Sequence, residues 1–148
     1  MLDDLKEQVK EIGKLKDKYL VSCFLMKGQW RIDYYSPKEH VLYTFYKKDG
    51  KFQIDKDEIF QKEKKKLEEL DLSKIKVPYE EALEKVKYQG DNFIIILQII
   101  DKKPVWNVTV LTTEFKMYNI KVDAIKGNVV SEEEANLLNF KQGTGISA

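Results

Sequence analysis

Cys23 and His40 are the only cysteine and the only histidine of the 148-residue chain, and together they could form a thiol nucleophile and its general base. Such a pair works only when the base lies within hydrogen-bond reach of the thiol. Cys23 stands inside Val-Ser-Cys-Phe-Leu, an apolar run typical of a buried strand, where a cysteine usually behaves as a small hydrophobic residue. His40 follows a predicted turn. The sequence therefore predicts a buried Cys23 and no catalytic thiol.

Other site chemistry is equally sparse. A single cysteine excludes an intramolecular disulfide, and a single histidine excludes a His-rich metal centre. Glu80 and Glu81, like the acidic run at 132–134, begin predicted helices, where negative charge complements the helix dipole. The glycines around Thr144 lack the lysine and the following helix of a phosphate-binding loop. We therefore expect no catalytic residues, no metal and no cofactor, and an enzyme is the minority interpretation.

The charge balance and the hydropathy pattern restrict the partners. The chain has 26 basic and 25 acidic residues, whereas a dedicated nucleic-acid binder carries a basic excess. The N-terminal residues alternate charged and apolar side chains, which does not fit a secretory signal. The longest apolar run, residues 93–97, is far shorter than the roughly 20 residues of a membrane helix. We expect a cytoplasmic protein that contacts neither nucleic acid nor membrane.

Hydrophobic periodicity predicts two antiparallel meanders, each preceded by a helix. Apolar residues at helical spacing cover residues 2–16 and 79–88. Apolar runs and alternating patterns bounded by turn residues predict strands over residues 18–27, 29–36, 41–45, 51–54, 93–100, 105–112 and 117–123, with a short strand beginning at Val129. Charged residues dominate 55–70, which is predicted to form an additional helix. Ser131 and Glu134 have the spacing of a capping box and predict a short C-terminal helix over 131–140.

The two halves of the sequence match each other at an offset of 76 to 77 residues. Trp30 aligns with Trp106, and the turn glycine Gly50 aligns with Gly127. The predicted fold class is therefore α+β, with two tandem repeats of a helix packed on a four-stranded antiparallel sheet. The first repeat with its trailing charged helix covers 1–72, the second covers 73–140, and 141–148 form a flexible tail.

The alternation also assigns a face to each side chain. Trp30, Ile32 and Tyr34 point toward the predicted helix, so the residues between them point away from it. An exposed sheet face with Tyr, Met, Leu and Arg among small polar groups has the composition of a protein-binding surface, although a merely solvated face remains an equal alternative. The candidate binding residues are Arg31, Asp33, Tyr35, Tyr46, Leu111 and Met117.

The second half resembles the PepSY family over residues 75–134. The resemblance rests on Val-Pro-Tyr-Glu-Glu-Ala-Leu at 77–83, on Trp-Asn-Val-Thr-Val at 106–110, and on Val-Asp-Ala-Ile-Lys-Gly-Asn-Val at 122–129. It implies a cystatin-like unit, of a kind found in protease propeptides and cell-envelope proteins that bind and restrain partner proteins. Two such units in tandem are similar to the architecture of β-lactamase inhibitory protein, whose joined sheets form a concave binding face.

The leading functional hypothesis is a non-catalytic module, inhibitory or regulatory, that binds a protein through the exposed sheet face. The resemblance implies a peptidase or another enzyme as the partner. Two alternatives stay open. One is a small-ligand-binding or enzymatic cystatin-like domain with a pocket between helix and sheet, and the other is a structural homodimer that buries the sheet face. The sequence is compatible with a monomer or a homodimer.

Overall fold

The computed structural model describes residues 2–59, 66–86 and 92–136. They form two helices, one 3₁₀ turn and eight strands. The helices are α1 (Leu2–Ile12) and α2 (Tyr79–Glu84), and the 3₁₀ turn covers Leu72–Lys74. The strands are β1 (Tyr19–Met26), β2 (Gln29–Ser36), β3 (Val41–Lys48), β4 (Lys51–Glu58), β5 (Asn92–Ile100), β6 (Lys103–Leu111), β7 (Lys116–Asp123) and β8 (Val129–Asn136).

All eight strands belong to one antiparallel sheet with the order β4-β3-β2-β1-β5-β6-β7-β8. Each half is a meander, and the first strands of the two meanders pair directly through Cys23 with Leu97 and Leu25 with Ile95. The predicted α+β class, with two separate cystatin-like helix-on-sheet repeats, is therefore wrong. The described chain is dominated by a single continuous sheet with only two helices beside it.

Three hairpins of the sheet close through two-residue turns in which both residues have positive φ. These turns are Lys27-Gly28, Asp49-Gly50 and Asp101-Lys102. Such turns match the right-handed twist of the paired strands, which is why they favour tight hairpins. Gly at the second position avoids the Cβ strain of this conformation in two of them. The turns set the strand registers and therefore decide which side chains share a face.

The two additional helices predicted from the sequence are also wrong. Residues 55–58 continue strand β4, residues 66–70 have no regular structure, and residues 131–136 belong to strand β8. The remainder of both predictions, 60–65 and 137–140, lies outside the described residues. β4 and β8 are the two edge strands, where charged side chains are common because they discourage pairing with another chain. Pairing with β3 and β7 outweighs the helical pattern of these charges.

A hydrophobic core fills one face of the sheet, called here the helix side. It includes Leu5 of α1, Ala82 of α2, and Leu70, Ile75 and Val77 of the connection between the two meanders. The strands contribute residues from both halves to the same core, namely Leu20, Cys23, Leu25, Trp30, Ile32, Tyr34, Phe45, Ile95, Leu97, Trp106, Val108, Val110, Tyr118, Ile120 and Val122. The burial of this apolar surface holds the two meanders together.

The two tryptophans of the matched sequence segments meet inside this core. Their ring centroids lie 6.5 Å apart, and the ring of Tyr79 contacts both, with centroids 6.1 Å from each. Their positions along the hairpins differ, however. Trp30 lies in the second cross-strand pair from its turn, opposite Leu25, whereas Trp106 lies in the fourth, opposite Leu97. The sequence match therefore does not correspond to an identical strand register.

Candidate functional site

The six candidate binding residues all lie on the face of the sheet opposite the helix side, called here the outer face. Cross-strand partners share a face, and the pairs Asp33–Thr44 and Leu111–Met117 stand on the side opposite Ile32–Phe45 and Val110–Tyr118. β2 and β3 supply Arg31, Asp33, Tyr35 and Tyr46, and β6 and β7 supply Leu111 and Met117. The candidate residues of the first half are separated from those of the second half by β1 and β5.

Arg31 is held in place by two neighbours on the outer face. Its guanidinium carbon lies 4.3 Å from the centroid of the Tyr46 ring, and its Nη2 donates to Oδ2 of Asp55 at 3.0 Å. The Arg31 and Asp55 side chains are 35% and 47% exposed, so solvent screens this ion pair and its contribution to stability is small. The stacking nevertheless orients a planar group that can still contact a partner.

Asp33 is the most enclosed charged group of this part of the outer face. Its carboxylate accepts hydrogen bonds from Oγ of Ser22 at 2.8 Å and from Oγ1 of Thr44 at 2.6 Å. Burial raises the pKa of Asp33, although the two hydroxyl donors oppose the shift. The carboxylate joins three neighbouring strands and is less accessible than the sequence suggested. It therefore links β1, β2 and β3 more than it offers a contact to a partner.

Tyr35 was predicted to be an exposed anchor, but the structure buries it. Only 1% of the residue is accessible, and its ring packs edge-on against Tyr19 and against His40. Its hydroxyl lies 2.7 Å from Nδ1 of His40, and the hydroxyl of Tyr19 donates to the carbonyl of Leu67. The contact between Tyr35 and His40 thus holds the β2–β3 turn against the end of the sheet. Tyr35 is on the predicted face but offers no free surface.

The second half of the outer face carries amides where the first half carries charges. Nδ2 of Asn119 donates to Oδ1 of Asn107 at 2.6 Å and to Oγ1 of Thr109 at 2.9 Å. Nζ of Lys121 donates to Oδ1 of Asn119 at 3.1 Å. This ladder runs across β6 and β7 beside the pair of Leu111 and Met117. These hydrogen bonds fix the orientations of the amides. Their remaining donors and acceptors are therefore already oriented in the free protein.

An apolar strip that sequence reasoning missed joins the two halves. Phe24 of β1 pairs with Ile96 of β5, and Ile94 lies two residues further along the same face. All three side chains are half-buried. Residues 93–100 are apolar on both faces, so alternation does not predict which face of β5 meets solvent. The pairing with β1 decides this. Asp55 was missed for a related reason, since its segment was predicted to be helical.

Cys23 and His40 lie on different faces and do not form a pair. Cys23 points to the helix side, opposite Ile32 and Leu97, and is fully buried. Burial raises its thiol pKa well above the usual range, which disfavours the nucleophilic thiolate. His40 is engaged through Nδ1 by Tyr35, on the opposite face. The burial of Cys23 agrees with the prediction made from its sequence context.

Within residues 2–59, 66–86 and 92–136, no helix combines the length and the apolar character needed to span a membrane.

The fold and the outer face define a protein built on one antiparallel sheet, with helices on one face and a mixed polar and apolar surface on the other. A solved structure of similar fold is that of a putative lipoprotein from Clostridium difficile. It superposes with a TM-score of 0.61 at 17% sequence identity, over 90% of this chain and 91% of that one. At this identity the likeness establishes the fold alone. No protein-family model and no curated protein matches the chain.

The cytoplasmic location predicted from the sequence is contradicted by this likeness. The protein of similar fold is described as a putative lipoprotein, a description that does not match that prediction.

Proposed function

We propose that the protein is a non-catalytic binding module that holds a partner protein against the outer face of its sheet. The observation that carries the proposal is the stacked and ion-paired Arg31 beside Tyr46 and Asp55, on a face that also exposes part of the strip Phe24, Ile94 and Ile96. Interfaces concentrate their binding energy in aromatic and Arg side chains surrounded by apolar and polar contacts.

The arrangement across the outer face supports a large, folded partner. A charged cluster around Asp33 lies in β2–β4, the apolar strip lies in β1 and β5, and the amide ladder lies in β6 and β7. Three chemically different zones on one continuous sheet suit a partner wide enough to touch all of them. A small ligand would engage one zone at most.

Preorganisation favours binding at this surface over a merely solvated face. Arg31, Asn107 and Asn119 are already fixed by their neighbours, at 3.0 Å for the ion pair and 2.6 Å for the amide contact. Side chains that are ordered in the free protein lose less conformational entropy when a partner binds. Long charged side chains on a solvated face have no such constraint.

The resemblance of residues 75–134 to the PepSY family is part of this proposal. Members of that family bind and restrain other proteins, so a peptidase or another enzyme is the proposed class of partner. We further propose that the protein acts outside the cytoplasm, as its similarity to a lipoprotein structure suggests. Protease treatment of intact producing cells tests this location, because an external protein is degraded while a cytoplasmic enzyme in the same cells survives.

The homodimer is the competing function, since a second copy could cover the same outer face. Sedimentation equilibrium of the purified protein separates the two. A monomer at micromolar concentration agrees with a face kept open for another protein. A stable dimer that Tyr46→Ala converts to a monomer would favour the structural homodimer instead.

The test of the binding proposal is capture of a partner from the native lysate, followed by calorimetry on matched variants. Tyr46→Ala and Arg31→Ala are expected to weaken binding by at least about 1–2 kcal/mol each, because they remove the aromatic and cationic anchors. Lys10→Ala, an exposed change on α1, is the control and should bind like the wild type. Loss of binding in the control, with both anchor variants unaffected, would place the site on the helix side.

A further inference from the structure

Two cavities meet at one end of the sheet, where α1 and α2 approach the turn between β1 and β2. The first, called here the acidic cleft, has a volume of about 460 Å³ and lies between α1 and the strands. The second, called here the apolar groove, has a volume of about 430 Å³ and lies beside α2 and the start of β5. Leu25, Gly28 and Tyr79 line both, so the two cavities lie next to each other.

The carboxylates of the acidic cleft come from one stripe of α1. Asp4, Glu7 and Glu11 recur at helical spacing and line the cleft, whereas Leu5 turns into the core. Lys47 is the one cation among the described residues that line it, and its Nζ already lies 3.1 Å from Oε1 of Glu11. Glu7 has no ion-pair partner among the described residues, so its carboxylate remains available in the cleft.

Two further features of the acidic cleft suit a cation. Oε1 of Gln8 is buried and has no hydrogen-bond partner within the described chain, although Gln8 lines the cleft. Trp30 and Tyr79 also line the cleft, with ring centroids 6.1 Å apart and ring planes inclined by 77°. A buried acceptor without a donor, carboxylates and aromatic rings together match an organic ammonium or guanidinium group.

The apolar groove continues from this point with aliphatic and aromatic side chains. Met26, Leu83 and Phe93 are among the apolar residues that line it. Met26 is 40% exposed although it is a large hydrophobic residue. Lys27 and Asn92 are the polar side chains among its described lining residues. Such a groove accommodates an aliphatic chain, because burial of that chain removes apolar surface of both molecules from water.

We propose that these two neighbouring cavities bind a short segment of a partner protein in which lysine or arginine residues stand next to aliphatic residues. The basic side chain enters the acidic cleft, where it pairs with the carboxylate of Glu7 and donates to Gln8. The neighbouring aliphatic side chains occupy the apolar groove. The apolar groove includes Ile94 and Leu111 of the outer face. The acidic cleft shares no residue with that face, so recognition of the basic side chain does not depend on the function proposed above.

The test measures fluorescence anisotropy of a labelled peptide, Gly-Lys-Lys-Leu-Leu-Gly, with the full chain. The wild type should bind it, and the peptide with both lysines replaced by glutamate should not bind. Glu7→Lys should weaken binding at least about fivefold, since it replaces attraction by repulsion at an exposed position. Met26→Ser should weaken binding about threefold by removing apolar contact.

Glu84→Lys is the matched control, because it makes the same charge change at an exposed position of α2 outside both cavities. It should leave the affinity unchanged within a factor of about two. The proposal is overturned if the lysine peptide does not bind, or if Glu84→Lys weakens it as much as Glu7→Lys does. It is equally overturned if a peptide with glycines in place of the leucines, or 1,5-diaminopentane, binds as tightly, since the site would then recognise a small cation only.

Discussion

In the first meander the outer face carries charged groups, with Asp33 under two hydroxyls and Arg31 paired to Asp55, whereas in the second meander it carries the amides Asn107 and Asn119. The strands of the two meanders follow one another in opposite directions from the β1–β5 pair toward the two edges of the sheet. In both meanders the large apolar residues lie on the helix side. The core therefore sets the topology in both halves, while the outer face is free to differ. Such a difference gives a binding surface two chemically distinct ends.

Two aspartates show the same contrast in electrostatic terms. In the first meander, burial raises the pKa of Asp33. In the second, hydrogen bonds from the backbone N–H of Lys126 and Ile125 lower the pKa of Asp123. The first carboxylate opposes folding in its charged form, and the second supports folding in its charged form.

The largest expected difference between the halves concerns the two tryptophans. Trp106→Ala should lower the free energy of unfolding by about 3–5 kcal/mol, because the indole is fully buried. It also removes the hydrogen bond from Nε1 to the carbonyl of Val77 at 2.7 Å. Trp30→Ala should cost about 1 kcal/mol less, since Trp30 is 4% exposed and no such bond is lost. Urea unfolding compares the two variants, and a larger loss for Trp30→Ala would contradict the extra stabilisation expected from the hydrogen bond between Trp106 and Val77.

Asp123→Ala should lower the free energy of unfolding by about 1–3 kcal/mol at pH 7, because two backbone N–H groups of the β7–β8 turn lose a charged acceptor. The pKa of Asp123 is lowered in the folded state, so its contribution is complete above the unfolded value of about 3.9 and disappears as the pH falls through the folded pKa. Wild type and variant should therefore converge in acid. Equal differences at pH 2.5 and pH 7 would show that the turn does not depend on the charge.

The effect of Asp33→Asn on the free energy of unfolding should vary with pH in the opposite sense to the effect of Asp123→Ala. Since the pKa of Asp33 is raised in the folded state, the folded protein binds the proton more tightly, and the wild type loses stability as the pH rises from about 4 through the folded pKa. Asparagine does not titrate, so the variant should gain relative to the wild type over this interval. Urea unfolding at several pH values between 4 and 7 measures the difference in free energy of unfolding between variant and wild type. If that difference did not change with pH, the carboxylate would not be desolvated.

The smallest expected effect concerns exposed charges. Arg31→Ala and Lys121→Ala should each change the free energy of unfolding by less than about 1 kcal/mol, because the ion pair of Arg31 is partly exposed and the lysine bonds only an amide. Thermal unfolding by circular dichroism is sufficient to compare them. A much larger loss for Arg31→Ala would mean that Arg31 is a structural residue of the first meander and not a contact left available for a partner.

Alternation predicted the central strands well, because their side chains are sorted by a buried and an open face. β2, for example, covers Gln29–Ser36, as the sequence indicated. The edge strands were predicted only at their starts, 51–54 in β4 and Val129 in β8. Residues 55–58 and 132–134 are charged and owe their extended form to pairing with a neighbouring strand, which the sequence pattern does not show. The outer face of Arg31 and Met117 followed from period two, but the burial of Tyr35 did not. That burial depends on Tyr19 and His40, whose approach is a tertiary contact.

The central claim is that a partner covers the outer face, and methyl NMR of the selectively labelled protein tests it most directly. On addition of the captured partner, the methyl signals of Ile96 and Met117, which lie on the outer face and outside the apolar groove, should shift or broaden. Those of Leu2, Ile12 and Leu72, which pack against the core on the helix side, should stay in place. Shifts confined to the second group, with the outer-face methyls unchanged, would contradict the account.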